Sequence, residues 1–271
     1  MAYIRLARPI NAGIAGLVVL VGAWLAGWPG WQIATIASVS GALLIAWANV
    51  DNDILDLETD RLAHPDRPIP KGEVRPEMAR NFSWFLLIPG MALSAFLPPV
   101  CTIVFLSAMI LTTAYNRLLK RIPLVSNTAV STAAALGFLF GGFTGKNTGG
   151  PLWAFLLAFL FHMAREGVKS LEDASADKVS GRRTVPVLWG ERAGLILTTI
   201  SACLMIGLTP LPFISGHLGL GYLIAVVLLV DGVWAGLLIY LWARRNYGLV
   251  SKIAKADMLA ALVALVLGKI G

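Results

Sequence analysis

Charged and thiol side chains are both scarce in this sequence. Asp, Glu, Lys and Arg together make up 14% of the 271 residues, whereas hydrophobic residues make up 57%. This composition excludes an ordinary soluble domain, because no globular core needs so much apolar side chain, and it indicates a protein embedded in a lipid bilayer. The two cysteines, Cys101 and Cys203, lie in separate apolar runs without CxxC spacing or a histidine partner. We therefore expect neither a disulfide nor a thiolate metal site.

Apolar runs long enough to cross a membrane recur along the chain. A spanning helix needs roughly 20 residues, and short turns rich in Pro and Gly, such as GWPG at 27–30 and LPPV at 97–100, separate the runs. The pattern predicts an all-α, multi-pass membrane protein with nine transmembrane helices, folded as a single domain over residues 1–271. The predicted helices cover residues 10–28, 31–50, 81–97, 100–116, 126–144, 151–169, 193–212, 219–242 and 252–269.

Basic residues fall almost entirely on one side of this predicted topology. When the N-terminus and every second loop are assigned to one side, only Lys146 and Lys269 remain on the other. The positive-inside rule makes the basic side cytoplasmic. The net charge of +7 is thereby explained by membrane topology, so it does not indicate a nucleic-acid partner. We find no sequence signal for an oligomeric state.

Two acidic motifs stand in corresponding positions of the predicted topology. DLETDR ends the second predicted helix at 56–61, and DASADK ends the sixth at 173–178. Each motif has the form D-x-x-x-D followed by a base, and each is followed by further basic residues and a proline, in RPIPKG and GRRTVP. The chain is therefore interpreted as two related four-helix halves plus a ninth helix, with its site in the cytoplasmic segments 49–72 and 165–186.

Spacing of four residues places side chains on one face of a helix, one turn apart. One predicted stripe contains Asn52, Asp56 and Asp60, with Asn49 a turn earlier; the other contains Asp173 and Asp177. Ionised groups close to hydrocarbon are costly, so a cation is expected to offset them. Carboxylate oxygens suit Mg²⁺, which proteins hold with one or two carboxylates, waters and phosphate oxygens. The predicted ligand is a diphosphate carrying Mg²⁺; the alternative is a pair of solvated helix ends with local ion pairs.

On these residues the chain resembles the UbiA superfamily of intramembrane prenyltransferases. NDILDLETD fits the family pattern N-D-x-x-D-x-x-x-D, and DASAD fits its second D-x-x-x-D. The resemblance implies Mg²⁺-dependent transfer of a prenyl group from a prenyl diphosphate to a lipid-soluble acceptor. It implies two Mg²⁺ ions that bridge the donor diphosphate. Their ligands would be Asn52, Asp56, Asp60, Asp173 and Asp177.

Within the superfamily, ETDRLAHPDRPIPKG and REGVKSLEDASADKVSGRRTVPVLWG are most similar to the branch that makes digeranylgeranylglyceryl phosphate. The implied donor is geranylgeranyl diphosphate and the implied acceptor is geranylgeranylglyceryl phosphate. Lys120 and Tyr115 would assist catalysis, Lys120 at the leaving diphosphate and the Tyr115 ring at the developing cation. The alternative for Tyr115 is an interfacial tyrosine that marks the depth of its helix in the membrane. The substrate-binding residues would be Asn49, Asn52, Arg61, Arg67, Lys71, Arg117, Arg121, Lys169, Lys178, Arg182 and Arg183.

Two departures from the family pattern affect individual residues. The family often carries Tyr-x-x-x-Lys, whereas Lys120 lies five residues after Tyr115, so either the helix ends there or Arg117 and Arg121 share the role. The branch also carries Lys-Asp where this chain has Lys169 followed by Ser170. Glu166 or Glu172 would then supply the missing carboxylate.

Other polar residues inside apolar segments have weaker claims to function. Asp231 is an isolated intramembrane carboxylate, for which a protonated or hydrogen-bonded structural role competes with a functional one. His64 and His162 lack a catalytic partner pattern. The small residues of AAALGFLFGGFTG, at 133–145, would either leave room for a prenyl tail or allow close helix packing, and packing is favoured.

Two rival functions follow from the same pattern. An aromatic acceptor, such as a quinone or tetrapyrrole precursor, would use the same metal motifs. A membrane transporter would also be built from repeats, but it predicts charges deep in several helices rather than at one face.

Overall fold

The computed structural model describes residues 1–179 and 181–270. Within this part of the chain, every regular secondary-structure element is a helix. Ser180, which falls in the predicted motif segment 165–186, lies outside the described residues. The helices are α1 (Ala2–Ala7), α2 (Pro9–Leu25), α3 (Trp31–Leu55), α4 (Leu57–Ala63), α5 (Pro76–Ser94), α6 (Pro99–Arg117), α7 (Val125–Gly142), α8 (Gly149–Val179), α9 (Val185–Trp189), α10 (Glu191–Leu208), α11 (Leu211–Ile214), α12 (Leu220–Ala225), α13 (Gly232–Arg244) and α14 (Tyr247–Leu267). A π-helical segment, Val226–Asp231, joins α12 to α13.

Every predicted apolar range overlaps one of the long helices, and the all-α class is confirmed. Among the described residues, four helical stretches have the length and composition to cross a membrane: Trp31–Leu55, Pro99–Arg117, Glu191–Ile214 and Leu220–Arg244. Pro9–Leu25 is apolar but shorter. Large apolar side chains are also strongly exposed on the helix surfaces, including Phe85, Leu228 and Ile239. Because water does not tolerate so much exposed apolar surface, this surface indicates a lipid environment.

Short helices that periodicity does not predict precede the first apolar run and occupy several of the connections. α1, α4, α9 and α11 have seven residues or fewer. Helices of this length are too short to display an amphipathic repeat, and they are stabilised by packing rather than by intrinsic propensity. The prediction starts the first helix at residue 10 and therefore misses α1. In the structure, Arg8 separates α1 from α2.

The chain divides into two compact units. The first contains residues 1–118 and 136–146, and the second contains residues 119–135 and those from 147 onward. In the first unit, α3 packs against α2, α5 and α6 around a core that includes Trp47, Val50 and Phe105. In the second unit, α8 packs against α10 and α14, and its core includes Trp234, Leu195 and Val168.

Glycines on α7 and in the turn after it allow the chain to approach α2 closely. A Cβ atom added at Gly137 would lie 2.9 Å from Val18 Cγ1, and one added at Gly145 would lie 2.6 Å from the Cβ of Ala26. A Cβ at Gly141 would overlap the carbonyl oxygen of Val19. Four-residue spacing places Gly137 and Gly141 on one face of α7, and Gly145 follows in the turn after the helix. The small residues of this segment therefore serve helix packing, as the sequence favours.

Candidate active site

The first acidic motif lies across a short interruption between two helices. α3 ends at Leu55, Asp56 adopts a turn conformation, and α4 begins at Leu57. Helical hydrogen bonds nevertheless continue through the interruption: the Asp56 amide donates to Asn52 O at 2.9 Å, and the Asp60 amide donates to Asp56 O at 2.8 Å. Asn52, Asp56 and Asp60 therefore stay at successive helical turns, as their spacing predicts.

The carboxylates of this motif are buried, and two of them share an arginine partner. Asp53, Asp56 and Asp60 are all nearly inaccessible to solvent. Arg67 Nη1 donates to Asp60 Oδ2 at 2.5 Å and lies 3.4 Å from Asp53 Oδ1. Burying a carboxylate without a partner is costly, so Arg67 compensates two of these charges at once.

The N-terminal segment contributes contacts that the sequence does not reveal. Arg8 has a left-handed backbone, with φ of 48°, and its guanidinium pairs with buried Asp53. The Asn49 side-chain amide donates to Ala7 O at 3.2 Å, and Arg5 pairs with Glu73. In the sequence, the two arginines serve only as orientation signals before the first span. A positive charge so close to a buried carboxylate is recognisable only once the fold is known.

A cavity of about 380 Å³ opens beside the buried aspartates of the first unit. It is lined by Arg5, Arg8, Asp53 and residues 64–68. Arg67 and His64 both line the cavity. No feature of His64 singles it out as a general base. Three arginines line the cavity together with Asp53 and Asp66, so its lining carries a net positive charge that favours an anion such as a phosphate group.

Other charged residues of the first acidic stretch pair locally. Arg61 pairs with exposed Glu58 at 2.7 Å, and Lys71 pairs with Glu73 at 3.1 Å. Asn116 donates to Asp51 at 3.2 Å. Glu58 thus lies on the surface with Arg61 as its partner.

The second acidic motif lies on the last turns of the continuous helix α8. Lys169 Nζ bridges Asp173 Oδ1 at 2.9 Å and Glu172 Oε2 at 3.0 Å. Asp177 is nearly buried, and its Oδ1 lies 3.9 Å from Arg182 Nη1. Burial raises the pKa of Asp177 above its usual value, although the Arg182 charge opposes that shift. Helical spacing thus holds Lys169, Asp173 and Asp177 on one face.

The two carboxylates that could replace the missing family aspartate differ in their surroundings. Glu172 lies beside Lys169 and near Ser251 of α14; burial opposes its charge, but these hydrogen bonds lower its pKa. Glu166 pairs instead with its neighbour Arg165 at 2.7 Å. Glu172 therefore shares its lysine with Asp173, whereas Glu166 belongs to a separate ion pair one turn earlier.

The remaining predicted site residues lie at helix ends. α6 ends at Arg117, just after half-buried Tyr115, so the helix does end before Lys120. Lys120 and Arg121 belong to the 3-10 turn Leu119–Arg121. Exposed basic side chains follow the second motif: Lys178, Arg182 and Arg183.

Both motifs have the composition of a Mg²⁺ site. Each supplies two aspartates at adjacent turns, and Asn52 adds an amide oxygen in the first. Among the described residues, no three His, Cys, Asp or Glu side chains form a preformed metal cage. Two carboxylates with completion by water and phosphate oxygens is the usual arrangement for Mg²⁺, so the residues fit this ion.

This helical fold and these paired acidic motifs are those of a membrane prenyltransferase. The chain matches the UbiA prenyltransferase family over residues 15–262, and it belongs to that family. A digeranylgeranylglyceryl phosphate synthase from Methanopyrus kandleri is 35% identical over 274 residues, covering 97% of each chain. The enzyme of the same name from Methanoculleus marisnigri is 36% identical, covering 96% of this chain and 95% of its own.

Solved structures share the fold over nearly the whole chain. A structure of a digeranylgeranylglyceryl phosphate synthase superposes with a TM-score of 0.86 at 29% identity, covering 99% of this chain and 98% of its own. A UbiA homolog from Archaeoglobus fulgidus bound to DMAPP and Mg²⁺ superposes with a TM-score of 0.75 at 19% identity, covering 98% and 99%.

Proposed function

We propose that this protein is a Mg²⁺-dependent prenyltransferase that joins a geranylgeranyl group to the hydroxyl of geranylgeranylglyceryl phosphate. The observation that carries the proposal is the occurrence of two D-x-x-x-D motifs, in which Asp56, Asp60 and Asp177 are buried, in a chain that is 35% identical to a digeranylgeranylglyceryl phosphate synthase over nearly its full length. The Archaeoglobus fulgidus homolog bound to DMAPP and Mg²⁺ supports a prenyl diphosphate as the donor.

The aspartates would hold the metal and the metal would hold the diphosphate. Asn52, Asp56 and Asp60 serve as ligands in the first unit, and Asp173 and Asp177 serve in the second. Bound Mg²⁺ neutralises the charge that builds on the leaving diphosphate. Arg67, already in contact with Asp60, is placed to exchange its carboxylate partner for a phosphate oxygen as the metal binds.

Basic side chains would bind the remaining diphosphate oxygens. In the first unit these are Arg61, Arg67, Lys71 and Arg117, with Asn49 supporting the N-terminal segment. In the second unit Lys120 is assigned to the leaving group, and Tyr115 of the first unit is assigned to the prenyl cation through its ring face. The other basic residues assigned to substrate are Arg121, Lys169, Lys178, Arg182 and Arg183.

Because C1 of the donor becomes cationic as the diphosphate leaves, the acceptor hydroxyl attacks an already electrophilic carbon. A strong general base is then unnecessary, which agrees with the absence of a catalytic histidine pattern around His64 and His162. The acceptor oxygen forms its bond to C1, the C1–diphosphate bond breaks, and the hydroxyl proton leaves to solvent or to the diphosphate.

The proposal includes the finer topology expected from the sequence. Nine helices, arranged as two related four-helix halves plus a ninth, would cross the cell membrane. The N-terminus and both acidic motifs would face the cytoplasm. The single-domain organisation over residues 1–271 is part of the same proposal.

One assay tests both which acceptor the protein uses and whether the reaction needs Mg²⁺. Purified protein in lipid nanodiscs receives geranylgeranyl diphosphate with either geranylgeranylglyceryl phosphate or 4-hydroxybenzoate, in the presence of Mg²⁺ or EDTA, and products are identified by mass. We expect the diether product only with the glyceryl phosphate lipid and only with Mg²⁺. Product from 4-hydroxybenzoate alone would establish the aromatic-acceptor alternative. Substrate flux into liposomes without product would establish the transporter.

A further inference from the structure

A second polar cluster lies in the second unit, among apolar helices and apart from the acidic motifs. It consists of Thr209 at the end of α10, Tyr222 of α12, Asp231 in the π-helical segment, Trp234 of α13 and Asp257 of α14. All five side chains are more than nine-tenths buried. The prenyl-transfer function assigns a role to none of them.

Packing within the second unit brings these residues together. α14 packs against both α12 and the π-helical segment, and the Gly219 amide donates to Gly268 O at 2.8 Å. The Asp257 carboxyl lies beside the Trp234 indole N–H and interacts electrostatically with Asp231, as does the Tyr222 hydroxyl. Asp231, isolated in the sequence, therefore has a second carboxyl as its neighbour.

The two short contacts of the Thr209 hydroxyl indicate whether Asp231 carries a proton. Its Oγ1 lies 2.7 Å from Ile206 O and 2.7 Å from Asp231 Oδ2. A hydroxyl has one hydrogen but two lone pairs. If that hydrogen is donated to the backbone carbonyl, the contact with Asp231 is a hydrogen bond only when Asp231 carries a proton and donates it to Thr209. The protonated carboxyl satisfies both short contacts, whereas the ionised carboxylate satisfies one.

Charge balance favours the same state. The groups that face Asp231 and Asp257 from the packed elements are Thr209, Tyr222 and Trp234, and no Lys, Arg or His among the described residues compensates either carboxyl. Two ionised carboxylates side by side in apolar surroundings would be strongly unfavourable, and such groups take up a proton instead. A small cation would need more oxygen ligands than these side chains provide.

Several polar atoms of the cluster still lack a protein partner. These are Asp231 Oδ1, Asp257 Oδ2, Tyr222 Oη and Trp234 Nε1. Of these, the indole N–H lies beside the Asp257 carboxyl. The two carboxyl oxygens then need a donor, and the Tyr222 hydroxyl needs an acceptor. A buried water typically makes about three hydrogen bonds to groups of this kind, and it can donate to two acceptors at once.

We propose that Asp231 and Asp257 form an intramembrane carboxyl pair that binds one proton and a water molecule. Asp231 holds the proton and donates it to Thr209, while the water donates to Asp231 Oδ1 and Asp257 Oδ2. The cluster thereby ties α10, the π-helical segment and α14 together through hydrogen bonds that exist only in the protonated state.

Infrared spectroscopy of the full-length protein in nanodiscs tests the proton directly. We expect a carbonyl-stretch band of a protonated carboxylic acid at neutral pH that shifts in D₂O. The band is lost in Asp231→Asn, so that it appears in the wild-type-minus-variant difference spectrum, and it changes frequency in Asp257→Asn because its hydrogen-bonded neighbour changes. Glu77→Gln, which alters an exposed carboxyl in the first turn of α5, leaves the band unchanged.

Two results would overturn the proposal. One is a protonated-acid band that is absent from the wild type, or that survives unchanged in Asp231→Asn. The other is a melting temperature that rises with sodium chloride but not with choline chloride and loses this dependence in Asp231→Asn, since that would place a metal cation in the cluster. Asn is isosteric with the neutral acid, so Asp231→Asn is expected to fold and to melt close to the wild type, whereas Asp231→Leu melts lower.

Discussion

The buried aspartates of the first motif differ in how strongly the protein already neutralises them. Asp53 lies against both Arg8 and Arg67, whereas Asp60 pairs with Arg67. A carboxylate held by two guanidinium groups is a poor metal ligand because its lone pairs are occupied. Asp53 is therefore best described as the residue that positions the two arginines, and Asp60 as the one available to a metal.

Arg8→Gln is expected to destabilise the protein. The substitution removes one partner of buried Asp53 and leaves Arg67, 3.4 Å away, as the other. We expect a loss of about 1 to 3 kcal/mol in the free energy of unfolding, because the remaining charge stays buried. Thermal or denaturant unfolding in detergent measures the change.

A double variant separates charge burial from general damage at this position. Arg8→Gln combined with Asp53→Asn removes both charges and should recover much of the lost stability. Arg80→Gln, at an exposed position of α5, serves as the control and should unfold like the wild type. A double variant that is less stable than Arg8→Gln would contradict the pairing.

Replacing Asp56 and Asp173 separately by Ala tests the two-motif site at single residues. Each change removes one metal ligand in the proposed mechanism. We expect prenyl transfer to fall by about 100-fold or more in each, which corresponds to about 3 kcal/mol of transition-state stabilisation. The control is Glu58→Ala, which removes an exposed carboxylate from the same stretch. Full activity in either aspartate variant would exclude its motif from the site.

Periodicity predicts the stripes of carboxylates but not all of their partners. Asn52, Asp56 and Asp60 are recognisable because four-residue spacing is local and survives the break at Asp56. Arg8 and Asp257 are not, because each meets its carboxyl partner only through tertiary packing. Long-range pairing leaves no mark in the spacing of a single sequence.

At the scale of secondary structure, the predicted helices agree with the observed ones where apolar runs are long. α3 and α8 continue past the predicted apolar runs, α3 to Leu55 and α8 to Val179. The first motif consequently lies across the junction of α3 and α4 and the second on α8, which limits the directions in which their side chains can point. Of the two alternatives for the region of Lys120, the end of the helix is the one observed, since α6 ends at Arg117.

Gly141→Ala is expected to disturb the contact between α7 and α2. The added methyl group would overlap the Val19 carbonyl, and backbone cannot move aside as a side chain can. We expect a loss of about 1 to 3 kcal/mol of stability, seen as a lower melting temperature. Gly13→Ala on α2, which has nothing within 4 Å of its Cβ position, should be neutral or slightly stabilising. Equal melting temperatures for the two variants would contradict this packing.

At the scale of the whole molecule, the distribution of apolar surface and charge predicts the membrane environment well. Hydropathy alone identifies the long helices, since their lipid-facing and core-facing residues are both apolar. It does not divide the chain into its two compact units, because that division depends on which helices pack together. The short helices α1, α4, α9 and α11 are missed for the same reason.

Membrane sidedness can be tested with single cysteines. In a background in which exposed Cys203 is replaced by Ser and buried Cys101 is retained, Glu77→Cys and Lys146→Cys introduce exposed thiols in opposite predicted loops. A membrane-impermeant maleimide should label Glu77→Cys in inverted vesicles and Lys146→Cys in right-side-out vesicles. Labelling of both from the same side would contradict the proposed topology.

Gly137, Gly141 and Gly145 pack closely against residues 18–26, and this packing face bears on attempts to alter the length of the prenyl product. Widening or plugging a tail-binding channel with larger side chains is a common engineering strategy, and a run of small residues is an obvious place to begin. Here those positions are already filled by the backbone and side chains of the neighbouring helix. Bulky substitutions along this face would loosen the scaffold before they shortened a product, so selectivity for chain length has to be sought on other helices.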